Sequence, residues 1–324
     1  MTRIGLIGAG GIARRHVEEL SALHDVTVSA VVDLNPESAR WVVDRTGASF
    51  FSDVQSALPQ IDAAYVLTPP RARVEAIRLL AAAGIPIFCE KPLAASVEDA
   101  RRIEAIVTST GVPFMMGFMR RWHPAYEALR ALIDDDGIGR PLQFFRQRLG
   151  YLPQQPGNWR VDPAQLCGLT VESASHDIDL LRWLGGDVTT ASGEVLESRP
   201  DLPGYDDSVN ATLRYASGAI GMLQVSWSSL VSTNQVGVIG ERAAAVISGA
   251  GMWRSQTLTV STIAERDQEP IHFTAAEAEN EGYDGQTRTF ISLVRGEHPP
   301  HPKVSDGLAT VELSHQILST SHGQ

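Results

Sequence analysis

A glycine-rich turn set between a strand and a helix constrains this chain more than any other feature. Gly8-Ala9-Gly10-Gly11-Ile12-Ala13 fits the pattern G-x-G-x-x-A, with an apolar run at 3–7 before it and helical periodicity over 12–23 after it. Such glycines let the backbone turn tightly and approach a pyrophosphate, whose charge then rests on the N–H groups that open the helix. Asp33 stands 20 residues beyond Ala13, at the end of a second predicted strand over 26–32. A carboxylate there accepts hydrogen bonds from both hydroxyls of an adenosine ribose and repels a 2′-phosphate, so NAD is expected in preference to NADP. Gly8, Gly10, Gly11, Ile12, Ala13 and Asp33 are the first expected cofactor contacts.

The rest of the first third repeats the same grammar. Apolar runs at 63–67, 85–89 and 113–117 alternate with helical patterns at 36–45, 73–83 and 97–110, as in a parallel sheet wrapped by crossover helices. After Arg121 the pattern changes. A helix is expected at 124–133, followed by alternating strands at 142–149, 208–215, 219–229, 235–239, 243–248 and 257–263. One helix over 170–184 interrupts them, and helices at 282–295 and 305–319 close the chain. The expected fold class is therefore α/β: a doubly wound Rossmann domain over 1–121, then an α+β domain over 122–324 with a large open mixed or antiparallel sheet.

Composition limits the function. The 324 residues carry 27 Lys+Arg against 38 Asp+Glu, a formal charge of −11 with no basic cluster, which argues against nucleic acid or an anionic membrane face as partner. No run approaches the roughly 18 apolar residues of a membrane span, and the N-terminus lacks the apolar core of a secretory signal. Two cysteines, Cys89 and Cys167, suit a reducing compartment and offer no cysteine-rich metal site. A cytoplasmic enzyme without a metal is the expectation. His298-Pro299-Pro300-His301 reads as a loop.

Two constellations offer chemistry. Lys91 follows an expected parallel strand at the carboxyl edge of the sheet, where open α/β sheets bind ligands. The chain uses lysine only twice, at Lys91 and Lys303, so a lysine there points to a need for a compact ammonium that arginine does not supply. The second is Glu172-Ser173-Ala174-Ser175-His176-Asp177-Ile178-Asp179. On a single helix Glu172, His176 and Asp179 stand at i, i+4 and i+7 and share a face. A carboxylate one turn from an imidazole raises its basicity, which suits a general base near neutral pH. Tyr283 and Trp227 are further candidates to line a site, with nothing in the sequence to prefer that over core roles.

The ordered set of 8–13, Asp33, Thr68-Pro69-Pro70, Glu90-Lys91-Pro92, Gly117-Phe118-Met119-Arg120-Arg121 with Pro124-Ala125-Tyr126, Gly137-Ile138-Gly139, Asn158-Trp159-Arg160 and His176-Asp177-Ile178-Asp179-Leu180 resembles the glucose-fructose oxidoreductase/inositol dehydrogenase (Gfo/Idh/MocA) family over nearly the whole chain. The resemblance implies a nicotinamide dinucleotide domain joined to an α+β domain whose open sheet often forms the subunit interface, hence a homodimer or homotetramer. It implies oxidation or reduction of a hydroxyl-bearing carbon in a sugar, inositol or related polyol. It places Lys91 and His176 on the reacting hydroxyl, with Glu172 as the accompanying acid. Thr68, Pro69, Glu90 and Lys91 join the cofactor contacts, and Asn158, Arg160 and Asp179 join Lys91, Glu172 and His176 around the substrate. Three positions depart from the family pattern: Arg73 stands where many members have histidine, Cys167-Gly168-Leu169 replaces a glycine run, and Glu172 replaces the more frequent aspartate. Two alternatives stay open: a glycoside-cleaving enzyme that oxidises its sugar only transiently, and a non-catalytic dinucleotide sensor.

Overall fold

A computed structural model describes residues 1–154, 158–262, 269–299 and 301–321. Ile263, the last residue of one expected strand, and Pro300 of the expected loop lie outside the described residues. The chain divides into two compact units, the first made of 1–118 and 283–311 and the second of 119–282 and 312–324.

The first unit is built on a six-stranded sheet in the order β3-β2-β1-β4-β5-β6, with every neighbouring pair parallel. Its strands are β1 (Thr2–Ile7), β2 (Val26–Val32), β3 (Ser49–Phe51), β4 (Ala63–Val66), β5 (Ile87–Glu90) and β6 (Phe114–Gly117), joined through helices α1 (Gly11–Ser21), α2 (Pro36–Thr46), α3 (Val54–Ala57), α4 (Arg73–Ala82) and α5 (Val97–Thr110). The central strands are buried along their length, as in β4 and β5, which is why they read as continuous apolar runs. Strand order reverses at β1, so the turn after β1 opens at the point where such sheets bind ligands.

In the second unit, α6 (Pro124–Asp134) precedes β7 (Pro141–Tyr151), α7 (Gly168–Glu172) and α8 (Ser175–Gly185). There follow β8 (Val188–Leu196), β9 (Ser208–Tyr215), β10 (Ile220–Ser226), β11 (Ser228–Gly240), β12 (Ala243–Ala250), β13 (Thr257–Thr262), β14 (Ile271–His272) and α9 (Ala275–Glu279). The eight strands form one sheet in the order β14-β13-β12-β11-β7-β10-β9-β8, antiparallel except where β10 runs parallel to β7. Ile178, Leu181 and Leu184 of α8 share a core with Phe144, Leu223 and Val236 of the sheet. On the opposite pleat Ile220 and Met222 remain exposed.

Three expectations change. α10 (Tyr283–Val294) belongs with the first unit. Its Phe290 ring meets Tyr65 at 5.1 Å and Phe88 at 5.6 Å, a pairing distant in sequence that a continuous boundary at 121/122 does not foresee. The closing helix α11 (Val304–Thr320) has its residues up to 311 assigned to the first unit and the rest to the second. β8 escapes sequence reading because its pattern is mostly exposed and offers little apolar alternation.

The expected helix over 170–184 is the third. It is broken into α7 and α8 around Ser173 and Ala174. The Ser175 hydroxyl donates to the Glu172 carbonyl at 2.9 Å, and Arg148 Nη2 donates to the Ser173 hydroxyl at 2.9 Å and lies 3.4 Å from its carbonyl. Polar groups thus compete with the helical ladder where two serines make the competition cheap. Glu172 therefore ends one helix, while His176 and Asp179 ride on the next.

Candidate active-site residues in the two units

In the first unit the glycine turn has the shape a pyrophosphate needs. Gly8 has φ +102°, and a Cβ there would come within 2.9 Å of the Thr68 nitrogen, so no other residue fits without strain. At Gly10 and Gly11 an added Cβ would meet nothing within 4 Å, leaving an open approach in front of α1. That helix has no side-chain cap at Gly10, so the N–H groups of its first turn face an approach that an anion can occupy. Asp33 is fixed beside the turn: its Oδ2 accepts from the Ala9 N–H and its Oδ1 from the Asn35 N–H, both at 2.8 Å. These residues fit the dinucleotide that the sequence pattern calls for.

Lys91 directly follows β5. Behind it, Glu90 is 5% exposed, and its two oxygens are engaged within the unit. Oε1 lies 2.9 Å from Nε2 of the fully buried His16, and Oε2 accepts from the Lys91 N–H at 3.0 Å. Glu90, expected among the cofactor contacts, thus acts here as a strut between α1 and the lysine. His16 was not legible as part of this arrangement, since a histidine within an amphipathic helix carries no local signal. Tyr283 packs its ring against His16 at 5.8 Å and beneath Arg15 at 5.0 Å.

In the second unit His176 is the second residue of α8 and is half-buried. Its neighbour Asp177 is fully buried and receives three guanidinium groups: Arg120 at 2.8 Å, Arg146 at 2.7 Å and Arg148 at 2.6 Å. Burial alone would raise the pKa of Asp177, but Arg148, Arg120 and Arg146 overcome it and hold the carboxyl well below its usual range. Burial, with Arg120 and Arg146 nearby, pushes His123 down to about 4. Asp179, expected to bind substrate, is 1% exposed and makes a two-pronged pair with Arg121 at 2.6 and 3.0 Å. The sequence showed acids on a helix; it did not show which arginines would arrive from 57 and 58 residues away.

Glu172 is paired with Arg160, Oε1 to Nη2 at 2.8 Å. Asn158 caps the short turn Trp159–Val161 by accepting from the Arg160 N–H at 3.0 Å, so its side chain shapes the loop that delivers Arg160. The Arg160 guanidinium also lies over the Trp159 ring at 4.8 Å. Trp159, Arg160, Cys167, Gly168, Glu172, Tyr205 and Trp227 line one recess. The Tyr205 hydroxyl and Trp227 Nε1 are buried there without a protein partner among the described residues, so each is a polar group whose hydrogen bond the described residues do not supply. Burial, reinforced by Glu172, raises the Tyr205 pKa.

The start of α7 explains one departure in sequence. Gly168 has φ +66°, and a Cβ there would fall 1.7 Å from Asp206 Oδ1. Asp206 Oδ2 in turn accepts from the Thr170 N–H at 2.7 Å and from its hydroxyl at 2.5 Å. The helix that ends in Glu172 is thus seated on a buried carboxyl whose pKa burial pushes up to about 6. Among the described residues no group of three or more His, Cys, Asp or Glu is arranged to hold a metal ion, and no helix is long and apolar enough to cross a membrane.

Comparison with known proteins agrees with this architecture. The family description "Oxidoreductase family, NAD-binding Rossmann fold" matches residues 2–118, and the GFO/IDH/MocA C-terminal domain matches residues 126–246. Inositol 2-dehydrogenase of Rhizobium meliloti is 28% identical over 319 residues, covering 96% of this chain and 94% of that protein. A putative myo-inositol dehydrogenase of Sinorhizobium meliloti superposes with a TM-score of 0.81 at 26% identity, over 99% of this chain and 97% of the other. Levoglucosan dehydrogenase, solved with NADH, shares the fold at a TM-score of 0.88 and 22% identity, over 99% and 96% of the two chains. With both halves of the pattern matched in order, the chain belongs to the GFO/IDH/MocA family of NAD-binding oxidoreductases.

Proposed function

We propose that the protein is an NAD-dependent dehydrogenase of a neutral cyclic polyol, inositol or sugar, with Lys91 and His176 acting on the hydroxyl that is oxidised. The observation that carries the reading is Lys91 at the carboxyl edge of a parallel sheet whose first turn is shaped for a dinucleotide, in a family of NAD-binding oxidoreductases. Full-length relatives named inositol dehydrogenases supply the substrate class.

NAD, when bound, supplies the acceptor for the hydride of the carbinol carbon. Gly8, Gly10, Gly11, Ile12 and Ala13 give it a backbone cradle, with Thr68 and Pro69 on the adjoining turn, and Asp33 takes the ribose hydroxyls. His176 removes the hydroxyl proton as general base, and the Lys91 ammonium stabilises the alkoxide that develops. Arg160 and Glu172, locked to each other, present a fixed donor and acceptor to neighbouring hydroxyls, and Asn158 acts by shaping their loop. Asp179 contributes through Arg121, as an anchor of α8. The exposed Ile220 and Met222 on the open pleat of the sheet support assembly into a homodimer or homotetramer through that face. A net charge of −11 favours small neutral substrates over polyanions, and the cysteine usage favours the cytoplasm.

The test is a panel of inositols, sugars and anhydrosugars with NAD, followed by absorbance of the reduced cofactor. Turnover of at least one cyclic polyol, with NAD preferred to NADP, is expected. No reduction with any member, in protein that binds NAD, would overturn the reading.

A further inference from the structure

This chain buries an arginine beside the Lys91 backbone. Arg73 opens α4 and is 3% exposed. Its Nε donates to the Thr68 carbonyl at 3.0 Å, its Nη1 donates to the carbonyls of Glu90 and Pro92, and its Nη2 lies 3.5 Å from the carbonyl of Lys91. One side chain therefore gathers carbonyls from either side of Lys91 and from the turn that follows β4. Among its described contacts there is no carboxylate; Glu90 directs its oxygens to His16 and to the Lys91 N–H.

A buried cation without an anion is costly unless other groups solvate it. Here the solvation comes from backbone carbonyls. They lie where the chain leaves the sheet, since β5 ends at Glu90. Arginine offers five donors in a rigid fork, whereas histidine offers at most two N–H groups on a shorter arm. A histidine at 73 does not reach all of these carbonyls at once.

We propose that Arg73 is a positioning residue: by binding the carbonyls of 90–92 it fixes that stretch of backbone, so that the Lys91 ammonium is presented in one place. The proposal rests on Lys91 being the catalytic lysine. A displacement of about 1 Å of a catalytic group costs on the order of 100-fold in rate, so the clamp is worth its desolvation. It also accounts for an arginine where many members of the family carry histidine.

The experiment is a double-mutant cycle on the NAD-bound enzyme with its best polyol. Arg73→Met should lower kcat about 10–100-fold with the KM for polyol and the affinity for NAD little changed. In the Lys91→Ala background the same substitution should change the residual kcat less than about twofold, because no ammonium remains to be positioned. Equal losses in the two backgrounds, or an undiminished kcat in Arg73→Met, would overturn the positioning role while leaving Lys91 catalytic. Full turnover in Lys91→Ala alone would overturn the reading of Lys91 and the proposal with it. Should Arg73→Met not fold, Arg73→Lys, which keeps the charge but one donor site, carries the same cycle: a loss that disappears with Lys91→Ala supports the proposal, and a loss that persists refutes it.

Discussion

Lys91 and His176 are held in place by different physics. Around Lys91 the anchors are mostly hydrogen bonds to backbone groups: the Glu90 carboxylate on the Lys91 N–H and Arg73 of α4 on the carbonyls of 90–92, with His16 of α1 behind Glu90. Around His176 they are ion pairs between side chains: Arg120, Arg146 and Arg148 on Asp177, Arg121 on Asp179 and Arg160 on Glu172. The first arrangement is built around the end of a parallel strand. The second fixes a helix that is interrupted just before the histidine, and Arg148 donates to Ser173 at that interruption. A strand end inherits its position from the sheet; a broken helix has to be given one.

His176→Ala should lower kcat by about 10²–10⁴-fold, the usual worth of general acid-base help, with NAD affinity nearly unaltered, as titration of the reduced cofactor would show. A parallel fall in cofactor affinity would mean that His176 is a structural contact of the nucleotide site.

The stability contrast is sharper between Asp177 and Glu90. Asp177→Asn leaves three buried guanidinium groups without their carboxylate and should cost about 3–5 kcal/mol. Glu90→Gln keeps an acceptor for the Lys91 N–H and should cost about 1–3 kcal/mol. Denaturant midpoints of the two variants, measured at one pH, decide it; the reverse order would break the comparison.

Asp206 tests the seat of α7. Its carboxyl is raised to about 6 from an ordinary 3.8, so between those pH values the folded state binds more protons than the unfolded one. Its contribution to stability is complete below pH 3.8 and is lost as pH rises through 6, a change of at most about 3 kcal/mol. The difference in unfolding free energy between wild type and Asp206→Asn should therefore move by that sense across pH 4 to 6. A difference that is constant over the window would show that the carboxyl is not raised.

An effect no larger than that of Glu90→Gln is expected at the nucleotide turn. Asp33→Ala should weaken NAD by about 1–3 kcal/mol, the range for charge-assisted hydrogen bonds, while NADP loses less because repulsion of its 2′-phosphate is relieved. Unchanged relative affinities would remove Asp33 from the ribose site.

The same contrast governs what could be read from the sequence. The β1–α1 turn, Asp33 and the Glu90-Lys91-Pro92 step are local events, each signalled by residues within a few positions, and the family resemblance that they carried was matched by the comparisons across both halves of the chain. The strands of the second unit were legible where one pleat is buried, as in β9, and missed in β8, where most residues face solvent. Glu172, His176 and Asp179 were found as residues but placed on one continuous helix. Ser175 takes a local part in breaking that helix, but the Arg148 that meets Ser173 and the Arg121 that meets Asp179 come from 25 and 58 residues away, and no periodicity encodes them. Tyr205 gave no signal at all, because a buried hydroxyl without a partner is a property of three-dimensional surroundings.

The central claim, a net transfer of hydride from a polyol to NAD, is tested most directly by following one hydrogen. The best polyol of the panel, prepared with deuterium on the reacting carbon, should yield deuterated NADH in proportion to the ketone formed. Deuterium returned to its original carbon in a cleaved sugar, with NAD unreduced, would contradict the account and establish transient oxidation in its place.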